Sequence, residues 1–190
     1  MNCNFFKRLI SLSSFLLLLY ATTCIFAPAS EAVWVLVDTT KLRLEVKRAN
    51  KTLLVFNNIA IGQNGAGFKK HKGDDITPIG SYKIASINKK SRFHKFYAFD
   101  YPSIENANKA LQDGFLKEES YNAILLAHKY KQAPSQDTQI GGHIGIHGLG
   151  RASNKVHKIL NWTHGCIALT NEQVNKLDRW ITIGTVVKVK

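Results

Sequence analysis

VWVLVDTTKLRLEVKRANKTLLVFNNIAIG, residues 33–62, decides the architecture. Branched and aromatic residues crowd it, and Leu42, Leu44 and Val46 alternate with Lys41, Arg43 and Glu45. A period of two is the signature of a half-buried strand, because successive side chains leave opposite faces of a pleated backbone. Strands are therefore expected at VWVLVD (33–38), at KLRLEV (41–46) and along TLLVFNNIAIG (52–62), until glycines take over at 62, 65 and 67. The glycine-rich GQNGAG (62–67) reads as a turn, since it lacks the strand, helix and lysine context of a phosphate loop. After the polar loop FKKHKGDDITPIG (68–80), SYKIASI (81–87) reads as a further strand.

Outward from there the pattern changes. YPSIENANKALQDGF (101–115) has Ser103 as an N-cap and Gly114 as a stop. KEESYNAILLAHKYKQA (117–133) puts Tyr121, Ile124, Leu125 and His128 on one helical face, with His128 as a half-buried helix residue. PSQDTQIGG (134–142) is a loop, and HIGIHGLG (143–150) a short strand entering a glycine-rich turn. SNKVHKIL (153–160) is a short helix. TNEQVNKLDRWI (170–181) is a helix with Thr170 and Gln173 as a capping box, and GTVVKVK (184–190) a closing strand. Strands, then helices, then strands indicate a mainly β architecture with helical insertions.

Lys7 and Arg8 followed by an apolar run from Leu9 to Tyr20, then the small residues of CIFAPASEA (24–32), form a secretory signal pattern over residues 1–29. The run falls short of the roughly 20 residues that span a bilayer. The expectation is export to the periplasm or cell envelope, with residues 30–190 as one domain. Removing Lys7 and Arg8 from a formal charge of +13 leaves +11, a surface suited to an anionic cell wall. No aromatic-interleaved basic motif or recognition helix argues for nucleic acid.

Cys3 and Cys24 fall within the signal, so Cys166 is the only thiol of the remainder. It stands in NWTHGCIALTN (161–171). A thiol becomes a nucleophile when an imidazole accepts its proton and holds the thiolate as an ion pair. His164, two residues earlier, shares a face with Cys166 in an extended segment, and His147 can reach across from a neighbouring strand. Gly165 allows close approach of a substrate, and backbone amides here can bind an oxyanion. The positive end of the helix starting near Asn171 lies close behind. The alternative is a zinc site drawn from His143, His147, His157, His164 and Cys166. Glycines at 141, 142, 145 and 148 argue against the helix that His143 and His147 would need, so no metal and no cofactor are expected.

His147, fifteen intervening residues, then Thr163-His164-Gly165-Cys166 resembles the signature of the L,D-transpeptidase catalytic domain family (YkuD-like). HKGDDITPIGSYKI (71–84) and IGIHGLG (144–150) are similar to two further family segments, so the resemblance runs from about Val33 to Val189. GCIALTN is most similar to the YafK-like murein L,D-transpeptidase branch. The resemblance implies a β-sandwich-like barrel with helical decorations and the cysteine at the mouth of a groove. It implies a catalytic set of Cys166 as nucleophile, His147 as base with its tautomer set by the Gly148 carbonyl, and His164, with Gly165 and Thr163 as substrate-binding positions. Gly165 and Cys166 would supply the oxyanion amides.

The implied substrate is a peptidoglycan stem tetrapeptide, attacked at the L-centre carbonyl of its diamino acid with release of D-alanine. An amine, from a second stem or a wall-anchored protein, would resolve the thioester by transpeptidation. Water would do so as a carboxypeptidase or endopeptidase, in a cell-shape or wall-protein-release role. A second class of reading is a wall-binding module whose thiol is idle. The family's arginine two places after the cysteine is replaced by Ala168, and Lys83, Arg151 and Lys155 are substitutes by nearness to motifs. The helical insertion from Ile104 to Lys131 is expected to control access.

Overall fold

The computed structural model describes residues 32–190, so the signal reading of residues 1–29 lies outside the described residues. Among the described residues, ten strands and four helices follow in chain order. β1 (Val33–Asp38), β2 (Arg43–Arg48) and β3 (Lys51–Asn57) form a meander; β4 (Ala66–Gly67) and β5 (Thr77–Pro78) pair in a small separate sheet. β6 (Gly80–Ser91) and β7 (His94–Phe99) form a long hairpin. Helices α1 (Ile104–Gln112) and α2 (Glu118–Lys129) come next, then β8 (Gly145–His147), α3 (Asn154–His157), β9 (Ile167–Ala168), α4 (Asn171–Leu177) and β10 (Val186–Val189).

The main sheet runs β3-β2-β1-β10-β6-β7-β8-β9. The last strand of the chain enters its middle, parallel to β1 and antiparallel to β6. Inward residues alternate along each strand, with Val35 and Val37, Leu44 and Val46, Tyr82 and Ile84, and Val187 and Val189 all buried. Each such aliphatic side chain contributes about 1.5–3 kcal/mol by leaving water.

The second strand starts two residues later than the alternation from Lys41 indicates. Asp38 Oδ1 accepts the Lys41 N–H at 3.0 Å, and Leu42 takes φ +46°, so residues 39–42 turn before the pleat begins. The expected run from 52 to 62 is likewise interrupted at Asn58, φ +57°. Beyond that kink the chain crosses to the far edge of the sheet. Ala60 exchanges two backbone hydrogen bonds with Ala168 (3.0 and 2.8 Å), and Thr163 bonds Ile61 and Gln63 (3.1 and 3.0 Å). The sheet thus closes on itself through residues 60–63, which gives the barrel character, and the closure lands on the segment that carries Cys166.

The expected N-cap at Ser103 and the expected capping box at Thr170 both form, and Ser103 also completes a box with Asn106. Ser103 Oγ accepts from Asn106 N at 3.2 Å, and Thr170 Oγ1 from Gln173 N at 3.1 Å. Ile124 of α2 is buried, and His128 Nε2 sits 2.8 Å from the Pro102 carbonyl. Among the described residues no helix is long and apolar enough to cross a membrane.

Candidate active site

Strands β8 and β9 are parallel, with Ile146 opposite Ile167 and His147 opposite Ala168. Extending that register by one step sets Cys166 beside Gly145, so Cys166 and His147 lie on the same face, displaced by two residues along the ladder. Both line a cavity of about 510 Å³. Gly142, His143, Ile144, Trp162, Thr163 and His164 line it too, together with Asn88, Ser91, Arg92, Phe93 and Phe96 of the β6–β7 hairpin.

His147 is 2% exposed and packed among aromatic rings. Phe93 stacks on it with centroids 4.3 Å apart, and Trp162 meets it edge-on at 5.8 Å. Its Nδ1 lies 2.7 Å from the Gly148 carbonyl oxygen. A carbonyl only accepts, so Nδ1 carries the hydrogen and Nε2 is left as the basic nitrogen. Burial lowers the imidazole to about 4; the Gly148 bond opposes this, and the charges of His157 and Arg92 add to it.

Cys166 is half-buried, and its thiol donates to the His143 carbonyl at 3.3 Å. Burial pushes the thiol up to about 11, with the Gly145 N–H and the Lys69 ammonium pulling the other way. Both shifts run against the expected thiolate–imidazolium pair. A thiol raised and an imidazole lowered both favour the neutral pair.

Two expectations about the loop around the cysteine are corrected. Gly165 N–H donates to Thr163 Oγ1 at 3.2 Å and is engaged, whereas the Cys166 N–H donates to none of the described residues. Thr163 is 3% exposed and its hydroxyl donates to the Cys166 carbonyl at 2.6 Å. Its hydroxyl braces the loop from the cavity lining. Gly165 itself is required by its φ of +119° and by the Ile76 carbonyl, 2.7 Å from where a Cβ would stand. His164 lines the cavity but turns its Nδ1 to Asp75 Oδ1 at 2.7 Å, with a side chain 83% exposed.

Asn171 ties down the turn after His147: its Oδ1 accepts from Leu149 N (2.9 Å) and Gly150 N (3.0 Å), and its Nδ2 donates to Gly150 O (2.9 Å). The loop ahead of β5 is organised by a buried ion pair. Lys69 meets Asp74 Oδ1, and Asp74 also accepts from the amides of Lys70 (2.8 Å) and Ile76 (3.2 Å), which hold its carboxyl below the usual range.

Lys83, Arg151 and Lys155 do not line the cavity, and neither does any residue from Ile104 to Lys131. The hairpin tip takes the walling role expected of the helical insertion, and Arg92 on that tip is the cation that the sequence reading missed. His157 packs beneath the site with Trp162 Nε1 donating to its Nδ1 at 3.3 Å. Among the described residues no three His, Cys, Asp or Glu side chains converge as metal ligands.

The sequence matches the L,D-transpeptidase catalytic domain (YkuD) over residues 32–189. No curated protein matches the chain. The helical cell shape determining protein Pgp2 from Campylobacter jejuni superimposes with a TM-score of 0.57 at 21% identity, covering 85% of this chain and 47% of that one. Bd1075 from Bdellovibrio bacteriovorus gives a TM-score of 0.53 at 16% identity, covering 87% of this chain and 50% of that one. The chain spans about half the length of these two proteins, and the likeness to them is one of fold.

Proposed function

Because the chain belongs to the L,D-transpeptidase catalytic domain (YkuD) family, we propose that it is a peptidoglycan L,D-transpeptidase of the YafK-like branch, acting through a thioester on Cys166 in the periplasm or cell envelope. The observation that carries this is the shared face: Cys166 and His147 line one cavity, and His147 has its Nδ1–H committed to Gly148. The signal pattern of residues 1–29 supports the location, and the fold shared with a cell shape determining protein agrees with work on the wall.

In this reading Cys166 Sγ attacks the L-centre carbonyl of the diamino acid in a stem tetrapeptide. The thiol proton passes to His147 Nε2, and the Cys166 N–H faces the developing oxyanion. His147 then returns the proton to the departing D-alanine nitrogen as the C–N bond breaks, leaving the thioester. An acceptor amine attacks the thioester and gives its proton to His147; the new amide forms and the sulfur is reprotonated. Water in place of the amine gives the carboxypeptidase outcome.

Mass spectrometry of disaccharide tetrapeptides incubated with the protein, with and without an acceptor amine, tests this. The expected products are a transpeptidated adduct with acceptor and no turnover by Cys166→Ala. Turnover that survives Cys166→Ala, or that a chelator abolishes, overturns the thiol mechanism.

A further inference from the structure

We infer that Arg92 is the carboxylate-binding residue of the donor site, the role left open by Ala168; this rests on the transpeptidase reading above. Arg92 is the one Lys or Arg among the described residues lining the cavity, and no Asp or Glu lines it. Its guanidinium makes no ion pair and no side-chain hydrogen bond with any described residue. It rests over the Phe93 ring, 4.7 Å from the centroid, and Phe93 rests on His147. A cation stacked on an aromatic face keeps its planar fork of donors free, the arrangement that matches a carboxylate bidentately.

The position is built into the backbone. Arg92 and Phe93 are the two turn residues between the paired Ser91 and His94, and Phe93 N donates to Ser91 Oγ at 3.2 Å. This turn lies directly against the loop that follows His147. A Cβ on Gly150 would stand 2.1 Å from the Arg92 carbonyl oxygen, and one on Gly148 would stand 2.7 Å from that of Phe93. The glycines of IHGLG therefore let the hairpin tip dock beside the base, and the docking fixes the cation at the cavity edge.

The two residues that flank the scissile bond of a tetrapeptide donor offer two carboxylates: the C-terminal one and, where the diamino acid bears it, one on the side chain. The experiment compares wild type, Arg92→Gln and Arg92→Lys on three donors: the dicarboxylate, its side-chain amide and its C-terminal amide. Arg92→Gln is expected to raise KM roughly tenfold or more for the dicarboxylate with kcat nearly unchanged, and Arg92→Lys to recover part of the loss. The donor whose amide abolishes the difference between wild type and Arg92→Gln identifies the carboxylate that is read.

An equal effect on all three donors, no effect on KM, or a loss confined to kcat overturns the inference. Calorimetric binding of the same donors to Cys166→Ala, with and without Arg92→Gln, reads the same contrast without turnover. Absence of wild-type turnover then counts against the transpeptidase reading alone.

Discussion

The Phe93 ring lies on the His147 imidazole with its plane tilted by 28° and its centroid 4.3 Å away. Phe93 thereby shields the base from water, and burial is the leading cause of the depression of His147 from 6.5 to about 4. An imidazole protonated below its pKa cannot take the thiol proton, so the acid limb of kcat/KM reports this group. In Phe93→Ala, water reaches the ring and the limb moves up by roughly one pH unit. A rate profile between pH 3 and 8 checks it, and an unmoved limb refutes the shielding.

The same group makes folding pH-dependent. The unfolded chain binds a proton near 6.5 while the folded chain waits until about 4, so stability falls as pH drops through that window and levels off below it. The total is roughly 3 kcal/mol, from about 1.4 kcal/mol per pH unit. Urea melts of wild type and His147→Phe across pH 4–7 should show this slope in the first and its loss in the second.

Cys166 pushed up to about 11 predicts a resting thiol. Alkylation by iodoacetamide in the absence of substrate should rise about tenfold per pH unit from 7 to 10, in proportion to thiolate. A thiolate–imidazolium pair would give a flat profile over that range, and such a profile would reverse the assignment of the neutral resting form.

The strand phases of β1 and β2, the Ser103 cap, the Thr170 capping box and the nearness of His147 to Cys166 were legible because each rests on local periodicity or on spacing along one segment. The β7 strand was not. Its hairpin turns on Arg92 and Phe93 with no Gly, Asn or Asp, and the ladder slips near Ile84 and Asn88, which blurs the alternation. The kinks at Leu42 and Asn58 were hidden for a different reason: non-glycine residues took positive φ there, under a turn bond from Asp38 and under sheet closure. Around the cavity, Asp75 meets His164, Asn171 meets Leu149 and Gly150, and the Arg92 turn lies against Gly150, contacts between distant parts of the chain that only the closed sheet shows. The bracing role of Thr163 was hidden because the two partners of its hydroxyl are fixed only once the loop is folded.

Thr163→Val keeps the volume and removes the hydroxyl. Both the Cys166 carbonyl and the Gly165 N–H lose a partner inside a buried loop, which costs about 1–3 kcal/mol. The loop that presents the sulfur relaxes with it, so kcat/KM should fall by roughly a hundredfold while the alkylation profile of Cys166 keeps its slope. Thermal melts and steady-state rates measure the two effects, and an unchanged rate would show that the brace is dispensable.

Lys69 and Asp74 are buried together, with side chains 3% and 6% exposed, at the base of the loop that contacts Gly165 through Ile76. Asp74→Asn leaves the ammonium without its counter-charge, and breaking a buried pair from one side costs about 3–5 kcal/mol. Lys69→Met with Asp74→Asn removes the stranded charge and should recover part of that loss. The two variants also separate structure from electrostatics at the sulfur. Lys69 is one of the groups that lower the Cys166 thiol, so the double variant should alkylate more slowly at pH 8 than wild type although its stability is partly restored. Equal alkylation rates in a folded double variant would show that the Lys69 charge does not reach the nucleophile.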